Sequence, residues 1–337
     1  MSEYRLGVPG PRPYDPREEK YRLSRTTRAV TPARTTEPIL DLLNVLLPDP
    51  GNQGSIGSCA AASSEKAARM AARLAGMTLE VAEQLHWGWL YYYARAKHGW
   101  QNQDSGSYVA DNLDLLAAAA PVASAAPYVE DAVWWTPPAE LESAPRKDYV
   151  LSHRPFYPSQ EGFNAFVTAW RNKMPVVASM WWPREFFEPG GPYGVEMPEG
   201  IKGNQPGMGA HAVLCLGSIP DPLRPYDPWL VFDNQWGPSW CPNAQRFHSY
   251  MRPGMFVMRL STTLEMVFEA RAVSFEPIVY PDPEPQKPCR EQAIDTVRAV
   301  YLEYFEKSKT GPWWKKRDAR LGASAVESAL KQLEVSL

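Results

Sequence analysis

Hydrophobic positions change their spacing about halfway along the chain. In the first half, apolar side chains recur three or four positions apart, which predicts helices. The three stretches with this spacing are 58–75, 79–97 and 107–119. In the second half, apart from one further predicted helix over 160–172, the apolar runs are short and bounded by Gly or Pro, which is typical of strands. These runs are 175–180, 212–216, 229–232 and 255–260. The pattern predicts an α+β protein whose helical half precedes a strand-rich half.

The two ends of the chain lack this pattern. Residues 1–38 contain six prolines and seven arginines with no apolar repeat, and we predict an extended arm. A Pro-rich linker begins at 281, and amphipathic segments follow it, which predicts a helical appendage. We therefore divide the chain into an N-terminal arm, a helical part, a β-rich part and a helical C-terminal extension. Their bounds are 1–38, 39–145, 146–280 and 281–337.

Composition excludes several classes of protein. The 337 residues are 44% hydrophobic, enough for a sizeable core, and a net charge of −3 argues against nucleic acid as a partner. The chain has neither an apolar stretch long enough to span a membrane nor the apolar segment of a secretory signal. We expect a cytoplasmic protein, the alternative being a component of a virion-like or exported assembly. With no phosphate-binding loop and no metal-binding spacing of His or Cys, we expect neither cofactor nor metal.

Candidate chemistry begins at residues 53–59, which read QGSIGSC. Cys59 lies at the start of the first predicted helix, where the helix dipole and exposed N–H groups favour a thiolate nucleophile. Gln53, six positions earlier, carries an amide that can donate to a developing oxyanion. Four cysteines are present and one is the candidate nucleophile, so we do not expect a disulfide framework.

Two downstream segments add the other groups that thiol catalysis needs. His211 lies in GAHAVL at 209–214, and Asn234 lies in VFDNQWGPSW at 231–240. His211 follows Cys59 by 152 residues and Asn234 follows it by 175. These segments resemble the papain family of cysteine peptidases, especially its bacterial branch, and the resemblance covers about residues 40–275. The intervals slightly exceed the roughly 130–150 residues typical of papain-like enzymes, which moderate insertions would explain.

The resemblance implies a two-lobed fold, with a helical lobe and a β-rich lobe, and a catalytic role for four residues. Cys59 would attack the peptide carbonyl, His211 would protonate the leaving amine, and Asn234 would hold the imidazole. Gln53 and the Cys59 backbone N–H would form the oxyanion hole.

Two more residues are assigned to the substrate side of the site by the same resemblance. Gly106 is similar to the glycine along which substrate backbone runs, and Trp236 would lie over the contact between the imidazole and Asn234. Two departures from the family pattern stand out. The cysteine preceding the family's Gly-Ser-Cys is replaced by Ile56, which removes a disulfide and fits a reducing compartment. The usual Trp-Gly-Glu is Trp240-Cys241-Pro242, which leaves the shape of that loop open.

The sequence therefore predicts a cysteine peptidase acting on peptides or proteins. The alternative is a papain-fold structural or docking component of a larger assembly, with 1–38 and 281–337 as the surfaces for a protein partner or self-association. A third hypothesis, cleavage of cell-wall peptides or acyl transfer by the same thiol chemistry, is disfavoured by Asn234 followed by Trp236.

Overall fold

A computed structural model describes most of the central part of the chain. The chain divides into two units, Met1–Pro277 and Ile278–Leu337, and every described residue belongs to the first. The predicted C-terminal extension therefore lies outside the described residues, as does most of the predicted arm. The described residues are 6–13, 38–45, 51–76, 87–117, 136–137, 151–158, 162–187 and 194–275.

Helices occupy the positions that the apolar spacing indicates. The first three are α1 (Cys59–Leu74), α2 (Trp87–Ala96) and α3 (Val109–Ala117), and a fourth, α4 (Phe163–Arg171), precedes the central strands. Helix α1 packs on α2, on α3 and on the sheet. Its many alanines favour the helix and, having only a methyl side chain, let these neighbours approach closely. All four helix predictions are confirmed in the described residues; residues 77–86 of the second lie outside them.

The second half forms a six-stranded sheet in which every neighbouring pair is antiparallel. The strands are β1 (Ser152–Phe156), β2 (Val176–Trp182), β3 (Gly209–Ile219), β4 (Trp229–Asp233), β5 (Met255–Arg259) and β6 (Val267–Ser274). Their order is β1-β6-β2-β3-β4-β5. Short helices α5 (Ala244–Phe247) and α6 (Leu260–Met266) and 3₁₀ turns at Asp41–Val45 and Arg184–Phe187 complete the described elements.

The apolar pattern does not predict two of the strands, β1 and β6, because they carry charged side chains. Arg271 in β6 is 1% exposed and donates from Nε to Glu269 Oε1 at 2.6 Å, so this buried pair occupies positions that otherwise hold apolar residues. On β1, His153 Nδ1 lies 3.1 Å from Arg271 Nη1. Charged residues that pair with each other inside a fold follow the same sequence periodicity as charged residues on its surface. Periodicity therefore cannot tell the two apart.

Strand β3 lies in the middle of the sheet and positions the candidate histidine. It pairs with β2 on one side and β4 on the other, and His211 stands opposite Met180 of β2. Nine of its eleven residues are buried, because the helices pack against the sheet. The prediction of an α+β fold is confirmed, and the sheet is antiparallel. The division into two lobes and the extended arm remain predictions.

Aromatic side chains fill the core next to β4 and β5. Phe256 is fully buried and stacks on Phe232 with ring centroids 5.0 Å apart. Its edge contacts reach Trp182, Phe186 and Trp240. Among the described residues, no helix combines the length and the apolar character needed to cross a bilayer.

Replacing Phe256 by alanine should destabilise the protein by about 3–5 kcal/mol, since the change leaves a cavity among rings that cannot close it. Tyr226→Ala is the aromatic control, because Tyr226 is 60% exposed and its loss should change the free energy of unfolding by less than about 0.5 kcal/mol. Denaturant unfolding measures both changes. Equal effects for the two variants would contradict this account of the core.

Candidate functional site

Cys59 is the first residue of α1 and is fully buried. The turn before it is fixed by Asp104, whose Oδ1 accepts a hydrogen bond from the Gly57 backbone N–H at 2.8 Å. The Tyr91 hydroxyl of α2 donates to the same oxygen. Two hydrogen bonds to one carboxylate oxygen thus hold the chain that leads into the helix. The position of the thiol is set by this turn as much as by the helix.

His211 and Asn234 are joined by a hydrogen bond of 2.8 Å between Nε2 and Oδ1. The Gln235 backbone N–H also donates to that oxygen at 2.8 Å, which identifies it as an acceptor. The imidazole Nε2 must therefore carry a proton and donate it. The other ring nitrogen, Nδ1, is buried and makes no hydrogen bond to any described residue.

Two tryptophans enclose the imidazole. Trp236 stacks on His211 with ring centroids 4.6 Å apart at 29°, and Trp182 meets it edge-on at 4.7 Å and 73°. Trp236 is itself only 1% exposed. Excluding water in this way strengthens the hydrogen bond to Asn234. Trp236 thus lies against the imidazole, and its assignment to substrate binding remains a prediction.

Burial keeps both reactive groups uncharged in this arrangement. It raises the pKa of the Cys59 thiol to about 12, a rise that the backbone groups of Ala212 and Gly7 oppose. Burial also lowers the pKa of His211 to about 4, against the effect of its hydrogen bond to Asn234. The sequence predicts a thiolate at the helix N-terminus. In the closed structure, desolvation outweighs the helix dipole and the proton stays on sulfur.

Gln53 lies between the turn that carries Cys59 and the loop that carries Asn234. Its backbone N–H donates to Gln235 O at 2.8 Å, and Gly237 N donates to Gly51 O at 2.9 Å, so the two loops run side by side. The side-chain Nε2 of Gln53 donates to Ile56 O at 2.9 Å. This bond orients the amide within the turn that precedes the nucleophile.

Ser63 connects the three parts of the site, and the sequence analysis missed it. It lies one helical turn after Cys59, and its Oγ is 2.9 Å from Ala212 O and 2.8 Å from Gln235 Oε1. Ala212 follows His211, and Gln235 follows Asn234. One hydroxyl therefore ties the helix of the thiol to the strand of the imidazole and to the loop of the amide. A polar residue four positions from Cys59 in an Ala-rich helix is the signal that could have found it.

A buried ionic cluster lies next to the loop that carries Asn234, and the sequence analysis did not predict it. Asp233 Oδ2 lies 2.8 Å from Lys66 Nζ and 2.9 Å from Arg252 Nη2. Asp233 is fully buried and Lys66 is 2% exposed. Burial lowers the pKa of Lys66, and the neighbouring Asp233 carboxylate opposes that change. The cluster anchors the end of β4, immediately before Asn234, to the helix that begins at Cys59.

The chain's own residues 6–8 run through the site. Ser107 N donates to Gly7 O at 2.9 Å, and Val8 N donates to Ala210 O at 3.2 Å, next to His211. We call the space they fill the groove; Gly57, Gly106 and Ser107 line one side, and Gly209 and Ala210 line the other. Gly106, the predicted substrate glycine, packs on Gly7, because a Cβ at Gly106 would come within 2.2 Å of Gly7 O. Residues 6–8 thus place a stretch of backbone against the turn that leads into the candidate nucleophile.

The remaining described cysteines, Cys215 and Cys241, are buried and free. In the loop whose shape the sequence left open, Trp240 donates from Nε1 to Phe187 O at 2.9 Å, while Cys241 adopts a positive φ of 51°. Burial raises the pKa of the Cys241 thiol. Neither of these thiols makes a hydrogen bond to a base within the described residues, and the same holds for Cys59, whose candidacy rests on its place at the start of α1.

Comparison with solved structures identifies the fold. The chain is similar to xylellain, a cysteine protease from Xylella fastidiosa, with a TM-score of 0.53 and 18% identity over 82% of this chain and 97% of that one. It is also similar to digestive procathepsin L 3 of Tenebrio molitor, with a TM-score of 0.50 and 14% identity over 76% and 75% of the two chains. These are papain-like cysteine proteases, and at such identities the likeness shows the fold alone. No protein-family model matches the chain, and no curated protein matches it.

Ser63→Ala should lower the free energy of unfolding by about 1–3 kcal/mol, because two buried acceptors, Ala212 O and Gln235 Oε1, share the single hydroxyl proton, and its loss leaves at least one of them without a donor. Ser64→Ala is the matched control. Ser64 is equally buried, and its hydroxyl makes no hydrogen bond within the described residues, so its removal should be neutral or slightly stabilising. Denaturant unfolding of both variants measures the difference. If Ser64→Ala lowered the free energy of unfolding as much as Ser63→Ala, the bridging role of Ser63 would be contradicted.

Stability should fall as the pH is lowered from 6.5 to 4 through the titration of His211. In that window the unfolded chain binds a proton at His211 that the folded chain does not, since the folded pKa is about 4 and the ordinary value is 6.5. At about 1.4 kcal/mol per pKa unit, the loss is about 3 kcal/mol, complete only below pH 4. Urea unfolding of the native chain and of His211→Gln across this range measures the contribution. The free energy of unfolding of the native chain should fall more steeply with decreasing pH than that of His211→Gln. Parallel curves for the two chains would refute the contribution of His211.

Proposed function

We propose that this protein is a cysteine peptidase that hydrolyses peptide bonds through Cys59, His211 and Asn234, with Gln53 assisting. The observation that carries the proposal is the hydrogen bond from His211 Nε2 to Asn234 Oδ1. It fixes the tautomer that leaves Nδ1 unprotonated, in a strand whose next residue, Ala212, is joined by Ser63 Oγ to the helix that begins at Cys59. An imidazole held in this way is suited to accept a thiol proton.

In the proposed cycle, Cys59 transfers its proton to Nδ1 of His211 as the sulfur attacks the carbonyl carbon of the substrate. The C–N bond then breaks, and the imidazolium gives its proton to the leaving amine. Water, deprotonated by His211, attacks the resulting thioester and releases the carboxylate and the thiol. Asn234 keeps the ring oriented throughout, by accepting from Nε2.

The oxyanion that forms in each step needs hydrogen-bond donors. The Cys59 backbone N–H, at the start of α1, and the Gln53 side-chain amide are the donors that we assign. Each such donor is worth about 2.7–4 kcal/mol of transition-state stabilisation, judged from a serine peptidase. Gln53 donates to Ile56 O, so the turn already holds its amide in one orientation, and little reorganisation is required.

Substrate can reach Cys59 only when residues 6–8 leave the groove, because the thiol is fully buried beneath them. Their departure admits water and substrate and reduces the desolvation that raises the pKa of the thiol. The structure therefore corresponds to a latent state of the proposed enzyme. The papain-like fold supports the general class of peptidase, while the segments on which the docking-component hypothesis depends, 281–337 and most of 1–38, lie outside the described residues.

Cys59→Ser should abolish both peptide hydrolysis and covalent labelling by an epoxide thiol reagent, because it removes the nucleophile. The assay uses the full chain in its native form and with Leu6→Glu, a change that should loosen residues 6–8. Cys215→Ser is the matched control: Cys215 is another buried, free cysteine, on the same strand as His211. Hydrolysis of a peptide library and mass mapping of the label provide the two readouts.

The expected result is activity and labelling at Cys59 in Leu6→Glu and in Leu6→Glu with Cys215→Ser, and neither in any chain with Cys59→Ser. Labelling that maps to another cysteine, or hydrolysis that survives Cys59→Ser, would refute the assignment. Complete inactivity of Leu6→Glu, with its groove open to the reagent, would favour the docking hypothesis.

A further inference from the structure

The segment in the groove contacts both sides of it through its backbone. Gly7 O accepts from Ser107 N, and Val8 N donates to Ala210 O. Both contacts are made by the peptide group that joins Gly7 to Val8, whose C=O and N–H point in opposite directions, so this group spans the groove between the side that carries Cys59 and the side that carries His211. Gly7 and Val8 are both buried. The segment thus lies across the groove as a bound peptide would, against Gly57, two residues before Cys59.

Position 7 has no room for a side chain. A Cβ built on Gly7 would lie 1.7 Å from Gly57 O, 2.1 Å from Gly57 C and 2.6 Å from Gly57 Cα. All three are backbone atoms of the turn that Asp104 holds, so they cannot move aside as a flexible side chain can. The φ of Gly7 lies outside the left-handed region, so backbone conformation does not demand glycine there. The restriction at position 7 is steric.

Glycines in the walls of the groove create that narrow passage. A Cβ at Gly106 would come within 2.2 Å of Gly7 O, and a Cβ at Gly209 would come within 2.2 Å of Leu6 Cδ1. A Cβ at Gly57 would lie 3.1 Å from Gly7 Cα. The walls thus lack side chains at the points where the segment's backbone and the Leu6 side chain approach them. They leave space for a branched apolar residue at the position of Leu6 and only for a bare Cα at the next position.

We propose that the groove selects peptides with a glycine beside Cys59 and a branched apolar residue on each side of it, of which Leu6-Gly7-Val8 is the chain's own example. This selection rests on the proposed function only for the step after binding, in which the bound peptide is hydrolysed. Hydrolysis consumes one water and forms a carboxylate and an amine. Gly57 is the specificity-determining residue, since its backbone excludes any Cβ at the central position. The substrate class is therefore apolar-Gly-apolar segments of extended peptides.

The first arm of the test measures whether glycine is required at position 7 of the full chain. Gly7→Ala should expel residues 6–8 and raise the rate of Cys59 alkylation by iodoacetamide at least about tenfold, the effect of a backbone clash that cannot relax. Pro9→Ala is the matched control, because Pro9 belongs to the same segment and is exposed, and its alkylation rate should match that of the native chain. Leu6→Glu serves as a second opened variant. Native-like alkylation in both opened variants would overturn the proposal.

The second arm asks whether the opened groove selects glycine from an added peptide. A synthetic peptide with the sequence of residues 4–11 should protect Cys59 of the Gly7→Ala and Leu6→Glu chains from alkylation. The same peptide with alanine in place of Gly7 should bind at least about tenfold more weakly. Equal protection by the two peptides would overturn glycine selection.

Hydrolysis of the two peptides by the opened chains separates this proposal from the proposed function. Selective protection by the glycine peptide without any cleavage would support glycine selection and contradict peptidase activity. Cleavage of both peptides at equal rates would support peptidase activity and overturn glycine selection. Cleavage of the glycine peptide alone supports both.

Discussion

The hydrogen bond between His211 Nε2 and Asn234 Oδ1 is the interaction on which the proposed chemistry depends. Asn234 follows the last residue of β4, and the buried contacts of Asp233 with Lys66 and Arg252 hold that strand end in place. Because Lys66 belongs to α1, the same ionic contact relates the asparagine to the helix of Cys59. Removing one partner of such a buried ion pair typically lowers the free energy of unfolding by about 3–5 kcal/mol. The contacts that arrange the site therefore also stabilise the fold.

Burial has two consequences for this site, and they act in opposite senses. The enclosure of the imidazole by Trp182 and Trp236 excludes water and strengthens the hydrogen bond that orients it. The same exclusion of water keeps the thiol protonated and the imidazole neutral. The groove therefore combines a well-oriented base with an inactive nucleophile as long as Gly7 covers the sulfur. Opening the groove reverses the second effect, whereas the first comes from Trp182 and Trp236, neither of which belongs to the segment that leaves.

The sequence predicts those features whose signal is local. Helix α1 and the central strands follow from apolar spacing, and Cys59, His211 and Asn234 were predicted because the short motifs around them resemble those of papain-like peptidases. Ser63 was not predicted although its spacing from Cys59 places both on one helix face. Lys66 was not predicted, since on a helix that mixes alanine and charge it is indistinguishable from a solvent-facing residue. Strand β6 was missed for the same reason, as Arg271 is neutralised by Glu269 only in the folded chain. The position of Gly7 depends on contacts 50 to 203 residues away along the chain, at Gly57 and Ala210, and no local pattern encodes them.

The tautomer of His211 gives the most direct test of the central claim. Nitrogen-15 NMR of the full chain labelled at histidine, with His211→Gln used to assign the signal, distinguishes which ring nitrogen is protonated at neutral pH. The account predicts a neutral ring with its proton on Nε2, because Asn234 Oδ1 can only accept, and with Nδ1 unprotonated. A proton on Nδ1 alone, or a ring charged at neutral pH in the closed chain, would contradict it.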